Sequence, residues 1–117
     1  MKAEIKYFYS PDVENLESWI PEATDYRILL QIMVSSLGVD GEESFDLEIC
    51  SLAWVEKLLR TQPVFDTRHT LIVQNFHWPS IESYIRDVID HWEAPTWEEL
   101  ALLLGRLGKW EFEDYIE

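Results

Sequence analysis

Apolar side chains are most concentrated between residues 28 and 34, where only Gln31 interrupts the run. A short run of this kind is typical of a central β-strand that is covered on both faces. Residues 38–41, Gly-Val-Asp-Gly, tolerate positive φ and predict a chain reversal. Residues 45–50 then alternate apolar with polar side chains, which predicts an antiparallel strand buried on one face. The centre of the chain is therefore predicted to be a β-hairpin.

Three helices are predicted after this hairpin. Ser51 is a good N-cap for the first helix, and apolar residues follow it at helical spacing. Pro79 suits the first turn of the second helix. The apolar positions of that helix are Ile81, Tyr84, Ile85, Val88, Ile89 and Trp92. Residues 96–99, Thr-Trp-Glu-Glu, form a capping-box sequence for the third helix, which Gly105 and Gly108 bring to an end.

Three further strands are predicted outside the hairpin. Residues 2–9 alternate, which predicts a strand near the N-terminus. One face of this strand would carry Ala3, Ile5, Tyr7 and Tyr9. Residues 69–76 form the second predicted strand, and residues 110–113 form a short edge strand shielded by its charges.

Strands and helices interleave without the regular period of βαβ units, and a tight hairpin lies at the centre. This order predicts an α+β fold with a largely antiparallel sheet of about five strands and two or three helices packed mainly on one face. A chain of 117 residues is long enough for one core and too short for two, so residues 1–117 are expected to form a single domain.

Two stretches of the chain resemble segments of a known protein family. One is residues 43–55, Glu-Ser-Phe-Asp-Leu-Glu-Ile-Cys-Ser-Leu-Ala-Trp-Val, which follow a hydrophobic strand and an acidic turn. The other is residues 108–115, Gly-Lys-Trp-Glu-Phe-Glu-Asp-Tyr. Both are similar to the immunity protein 8 family, whose members are bacterial proteins found beside polymorphic and contact-dependent toxins. The order of elements between the two stretches also fits that family. These motifs are structural, and none is a catalytic signature.

The resemblance implies an immunity domain: a small cytoplasmic antidote, not an enzyme, that binds one cognate toxin domain. A single cysteine, Cys50, allows no internal disulfide, which fits a reducing compartment. The N-terminal residues lack the apolar segment of a signal peptide. No stretch approaches the roughly 20 apolar residues that a membrane helix needs. We therefore expect a protein of the cytoplasm that is a monomer or a weak dimer, with no membrane partner and no cofactor.

The balance of charge indicates what kind of partner the protein binds. Lys and Arg number 9 against 23 Asp and Glu, so the formal net charge is −14. A surface this acidic repels nucleic acid and anionic membranes, and it attracts basic proteins. Because toxins that cut nucleic acid need basic surfaces, a nuclease is the favoured target. A DNA-mimicking inhibitor of an endogenous nucleic-acid-binding protein would use the same charge.

Acidic residues are concentrated in a segment before the hairpin and in the hairpin turn, and we expect the partner to bind there. A third acidic stretch lies at the C-terminus, residues 111–117. Trp19 and Trp78 lie beside prolines in connecting segments, where they could be exposed aromatic anchors or could equally cap the core. The predicted partner-binding residues are Asp12, Glu14, Glu17, Trp19, Glu22, Asp25, Asp40, Glu42, Glu43 and Trp78.

Two arrangements could belong to a small enzyme instead. Asp87 and His91 lie four residues apart on one helical face, where they could provide two ligands to a metal ion, but two ligands are not a site. Cys50 with a histidine could form a thiol nucleophile, although a buried structural thiol is the more common outcome for a cysteine among apolar residues. We expect no metal site and no catalytic residues.

Overall fold

A five-stranded sheet and three helices make up the protein, as seen in a computed structural model that describes residues 1–113. The strands are β1 Ala3–Tyr9, β2 Arg27–Ser36, β3 Glu43–Ser51, β4 Thr70–Val73 and β5 Lys109–Trp110. The helices are α1 Leu52–Leu59, α2 Trp78–Asp90 and α3 Trp97–Leu104. The predicted α+β class is confirmed. No helix within the described residues is long and apolar enough to cross a bilayer.

The hairpin of β2 and β3 is the centre of the sheet. Its register runs from Arg27 opposite Cys50 to Val34 opposite Glu43. β1 pairs antiparallel with the other side of β2. The outer side of β3 is shared, because β4 runs parallel to its second half and β5 antiparallel to its first half. The sheet is therefore largely antiparallel, as predicted, with one parallel pair where α1 separates β3 from β4.

The core lies between one face of the sheet and the helices α2 and α3. The inward side chains of the hairpin are buried almost completely: Ile28, Leu30, Ile32, Val34, Phe45, Leu47 and Ile49. The helices contribute Ile81, Ile85, Ile89, Leu100 and Leu104 to the same cluster. Each such side chain contributes about 1.5–3 kcal/mol when it leaves water, so this interface supplies the main driving force for folding.

The predicted helix starts are confirmed by their capping contacts. The Ser51 hydroxyl accepts a hydrogen bond from the Trp54 N–H, and the Thr96 hydroxyl accepts one from the Glu99 N–H. Pro79 lies in the first turn of α2. These caps satisfy donors that a helix end would otherwise leave unpaired.

The central strand is not covered on both faces as the sequence predicted. The side chains of Leu29, Gln31 and Met33 point away from the core and are only half-buried. Within the described residues, no helix packs over the middle of this second face. At one end, α1 follows β3 directly, and Cys50 and Val55 are buried there outside the main core cluster.

A bulge in β1 changes which residues of that strand face the core. The pairing with β2 shifts register between Ile5 and Tyr7. As a result Phe8, not Tyr7, packs against the core, whereas Tyr7 and Tyr9 are 49% and 51% exposed. The predicted face that joins these tyrosines to Ala3 and Ile5 is therefore wrong beyond the bulge, because an extra residue reverses the alternation.

The two outer strands are shorter than predicted. The strand expected over residues 69–76 is limited to Thr70–Val73, and the one expected over residues 110–113 is limited to Lys109–Trp110. His69, just before β4, has φ of 57°, a value that few residues other than glycine adopt. Part of the C-terminal acidic stretch, residues 114–117, lies outside the described residues.

Gly108 allows the C-terminal segment to approach β3 closely. A Cβ atom at this position would lie 3.1 Å from the carbonyl carbon of Phe45 and 3.2 Å from its Cβ atom. We predict that Gly108→Ala lowers the free energy of unfolding by about 1–3 kcal/mol, because the added methyl group must push β5 away from β3. Urea denaturation followed by tryptophan fluorescence measures this change.

The matched control is Ser83→Ala on the exposed side of α2, which should change the free energy of unfolding by less than about 0.5 kcal/mol. Equal free energies of unfolding for the two variants would show that a methyl group at position 108 does not destabilise the contact between β5 and β3.

Candidate partner-binding surface

The uncovered face of the sheet, opposite α2 and α3, presents a continuous set of side chains from three strands. We call it the open face. It consists of Tyr7 and Tyr9 from β1, Leu29, Gln31 and Met33 from β2, and Asp46 and Glu48 from β3. Because the register places Met33 beside Tyr7 and Gln31 beside Tyr9, these side chains form neighbouring rows.

The tyrosines are the most exposed aromatic residues of this face. The Tyr7 hydroxyl donates a hydrogen bond to the Glu42 Oε1 atom at 3.3 Å. Desolvation raises the pKa of Tyr7, and the negative charge of Glu42 adds to this effect. Tyrosine combines a large apolar ring with a polar tip and loses little conformational entropy when it is buried, which explains its frequency in protein interfaces.

The carboxylates of the open face differ in how they are paired. Arg27 forms an ion pair with Glu48 and also lies over the Trp54 ring, 5.1 Å from the ring centroid. Asp46 accepts only a 3.3 Å hydrogen bond from the Gln31 amide, and it belongs to none of the ion pairs within residues 1–113. Lys109 lies opposite Asp46 in the register of β3 and β5, but no ion pair within residues 1–113 joins the two, so the Asp46 carboxylate can still bind a cationic group of a partner.

The two predicted acidic segments lie at opposite ends of the open face. At one end the Asp12 carboxylate accepts a hydrogen bond from the Leu29 N–H at 2.8 Å. At the other end, Glu42 contacts Tyr7 in the turn that joins β2 to β3. Four more of the predicted acidic residues are exposed: Glu14, Glu17, Glu22 and Asp40. The open face is therefore flanked by carboxylates on two sides.

Asp12 and Asp25 also have structural roles in the first acidic segment. Asp12 pairs a main-chain donor of β2 that β1 does not reach, since β1 ends at Tyr9. Asp25 accepts a hydrogen bond from the Lys57 ammonium at 3.1 Å. This hydrogen bond is the main cause that lowers the pKa of Asp25. The two residues anchor the segment and keep their charges at its surface.

Glu43 holds the C-terminal segment to the hairpin. Its carboxylate accepts hydrogen bonds from two indole N–H groups, that of Trp97 at 2.6 Å and that of Trp110 at 3.1 Å. The Trp110 ring stacks on the Phe45 ring at a centroid distance of 6.3 Å. These internal hydrogen bonds occupy the Glu43 carboxylate, which is therefore less available to a partner than the sequence suggested.

The expectation that Trp78 is an exposed anchor is wrong. Trp78 is 5% exposed and meets the Phe8 ring edge-to-face at 5.1 Å. Trp19 is half-buried and packs edge-to-face against Phe76 at 4.7 Å and Tyr26 at 5.5 Å. Both indoles lie beside prolines, but Trp78 belongs to the core cluster and Trp19 packs against it.

Sequence reasoning missed the residues that dominate the open face, Tyr7, Tyr9 and Met33. The alternation of residues 2–9 assigned both tyrosines to an apolar face, and the long apolar run assigned Met33 to a buried one. A signal was present in Lys6-Tyr7-Phe8-Tyr9, where three consecutive aromatic residues cannot all face one core. Only the bulge decides which of them turn outward.

The groups considered for catalysis have local partners. The His91 Nδ1 atom donates to the Asp87 carbonyl oxygen at 2.6 Å, at the end of α2. Cys50 is completely buried, as the sequence indicated, and this burial raises the pKa of its thiol. In the described part of the chain, no three His, Cys, Asp or Glu side chains form a group that could hold a metal ion.

The sequence profile of a family described as Immunity protein 8 matches residues 3–115, nearly the whole chain. Neither the curated proteins nor the solved structures gave a significant match.

Glu42 and Glu43 provide a matched pair that separates a surface role from a structural one. We predict that Glu43→Ala lowers the free energy of unfolding by about 1–3 kcal/mol, because two half-buried indole N–H groups lose their acceptor. Glu42→Ala should change it by less than about 0.5 kcal/mol, since Glu42 is exposed. Urea denaturation of both variants gives the two values. If the order were reversed, Glu43 would have no anchoring role.

Proposed function

The chain belongs to the immunity protein 8 family, and we propose that it neutralises one cognate toxin domain by covering it with the open face. Membership of the family supports immunity against a toxin. The observation that supports this particular surface is the row of exposed tyrosines, Tyr7 and Tyr9, on a sheet face whose middle is covered by none of the helices within residues 1–113.

Tyr7 and Tyr9 would act as the anchors of the complex. A few large side chains near the centre of an interface usually carry most of the binding energy. On the open face the two rings lie beside Gln31 and Met33, which supply an amide and a flexible apolar side chain. This combination can pack against apolar groups of the toxin and also pair with its polar groups.

The charge of the protein favours a basic toxin, and therefore a nuclease. A nuclease presents basic groups that bind phosphate, and this chain presents an excess of carboxylates, with a net charge of −14. The carboxylate of Asp46, which forms no ion pair within residues 1–113, and the exposed ones of Asp40 and Glu42 can bind those basic groups in place of phosphate. Inhibition would then follow from occlusion of the surface that holds the nucleic acid.

The acidic segment before β2 would add to the attraction from one side. Glu14, Glu17 and Glu22 are exposed there, and Asp12 and Asp25 hold the segment in place. Charges that are not in direct contact still raise the rate of association, because their field extends over about 8–10 Å at moderate ionic strength. In this proposal Trp19, Glu43 and Trp78 support the surface from behind and do not touch the toxin.

We place this encounter in the cytoplasm, with one chain bound to one toxin domain. An acidic inhibitor that mimics DNA would also attract basic proteins, but it would inhibit several unrelated ones. A one-to-one complex with a single toxin therefore distinguishes immunity from mimicry.

Growth rescue tests the proposed function. The toxin domain encoded beside the gene of this chain is produced in a susceptible host with and without the chain. We expect rescue by the wild type and loss of rescue by the double variant Tyr7→Ala with Tyr9→Ala, with an increase in Kd of about 100-fold or more. Purified proteins give the Kd by calorimetry.

The control for the double variant is Leu102→Ala, which removes a side chain that is 69% exposed on α3, behind the sheet. It should rescue growth and bind within about threefold of the wild type. Absence of binding by the wild-type chain would reject the proposed function for that toxin. Equal binding by both variants would reject the open face, and inhibition of several unrelated nucleases would favour a DNA mimic.

A second test shows whether association with the toxin depends on where the negative charges lie or only on how many there are. Two double variants each remove two negative charges. Asp46→Asn with Glu42→Gln removes them from the open face and the adjoining turn, and Asp87→Asn with Glu98→Gln removes them from α2 and α3. We predict that the first variant slows association with the toxin by about 3- to 10-fold more than the second at low salt.

Stopped-flow fluorescence at two salt concentrations measures these rates. The difference should shrink at high salt, because screening weakens the contribution of exposed charges. If both variants slowed association equally at low salt, overall charge alone would attract the toxin and the open face would have no special part in it.

A further inference from the structure

The outer edge of β4 borders a groove that the open face does not include. This groove has a volume of about 590 Å³ and lies between β4 and the first turns of α2. Leu71, Ile81 and Tyr84 supply apolar lining, and His77 and Ser80 add polar groups. Ile72 borders the groove, and its side chain lies on the side of β4 that faces away from the core, because Ile72 is opposite Cys50 in the register. Ile72 is 44% exposed and Tyr84 is 53% exposed. An apolar groove beside a sheet edge is a common place for another chain to bind.

Main-chain groups of β4 are unpaired on the side of the groove. The Glu48 N–H donates to the His69 carbonyl oxygen at 2.9 Å, and this bond shows which residues of β4 are hydrogen-bonded to β3. Since the groups of a parallel strand alternate between its two sides, those of Leu71 and Val73 bond to β3, and those of Ile72 point outward. Within the described part of the chain, nothing pairs with the N–H and carbonyl oxygen of Ile72.

We infer that β4 receives an additional strand, an extended and uncharged segment of the toxin domain that pairs with the main chain of Ile72. This inference rests on the proposed function and adds a second contact to it. The two contacts are continuous, because Thr70 at the start of β4 lies opposite Glu48 of the open face. A toxin that covers the open face can therefore also reach the edge of the sheet.

The distribution of charge identifies the occupant. The described residues that line the groove include no Asp, Glu, Lys or Arg, although the chain carries a net charge of −14. An uncharged groove suits the apolar and polar side chains of an extended segment. Pairing of two β4 edges from two copies would bring together two chains of high like charge, which repel each other. A basic partner meets no such barrier.

Hydrogen exchange of single amides, measured by NMR with the full chain, tests the inference directly. In the free protein the Ile72 amide should exchange rapidly, whereas the Leu71 and Val73 amides are protected by their bonds to β3. Saturation with the toxin domain should slow exchange at Ile72 by about tenfold or more, because its N–H then donates to the added strand.

A pair of variants at Ile72 separates main-chain pairing from side-chain contact. Ile72→Pro removes the outward N–H and places a ring on the edge, where proline is tolerated. Ile72→Thr keeps the N–H and the preference for β structure. We expect Ile72→Pro to raise the Kd for the toxin by about tenfold or more and Ile72→Thr by less than about threefold. Neither should alter the salt dependence of association, since no charge changes.

Each possible result of these experiments leads to a different conclusion. Protection of the Ile72 amide by the toxin supports the added strand, and the exchange measurement needs no variant to fold. Tight binding of the toxin with unchanged exchange at Ile72 would overturn this inference and leave the proposed function standing. Protection that appears without toxin and increases with protein concentration would overturn it in favour of a second copy. If the toxin does not bind at all, the proposed function fails and this inference fails with it.

Discussion

The pairing of β2 with β3 is the constraint on which the rest of the structure depends. One face of this hairpin provides the apolar side chains that pack against α2 and α3, and the other provides the middle of the open face. Because side chains alternate strictly along a strand, a slip of one residue in the register would exchange the two faces. The turn with Gly38 and Gly41 at positive φ, and the two indoles bound by Glu43, restrict such a slip. The stability of the core and the position of the candidate interface therefore have the same origin.

The sequence was sufficient for the elements that have a clear period. The hairpin, the three helices and the α+β class follow from alternation, helical spacing and capping residues, and all of these are found in the structure. The sequence was not sufficient to predict which side chains of β1 and β2 are exposed, because tertiary contacts determine this. A single bulge in β1 turned Tyr7 and Tyr9 outward, and nothing in the local pattern places a bulge. The run from Ile28 to Val34 predicted burial on both faces because apolar content does not tell whether a second layer exists. The structure leaves Leu29 and Met33 half-exposed.

The carboxylates illustrate why charge alone located the candidate surface only in part. Negative residues close together in the sequence have different partners in the fold: Glu42 lies at the surface beside Tyr7, and its neighbour Glu43 binds Trp97 and Trp110. Asp12 likewise completes the hydrogen bonding of β2 beyond the end of β1. A sequence gives the number of charges and the segments that carry them. Which of them are already paired depends on distant donors, and only unpaired charges contribute fully to a new complex.

Core residues and surface residues alternate on the same strands, so the binding surface can change while the core is kept. The inward residues of β2 and β3 cannot vary in volume without cost, since cores are densely packed. The half-buried outward residues in the middle of the same strands are under less restriction, and so are the exposed residues of the two acidic segments. Substitution of Asp46 or Gln31 leaves the packing behind the sheet unchanged. A fold of this kind can therefore keep one scaffold while its binding surface diverges, provided that the paired residues Asp12 and Glu43 are retained. In the binding mode proposed for β4, main-chain pairing would add affinity that does not depend on side chains, and the open face would provide the discrimination between toxins.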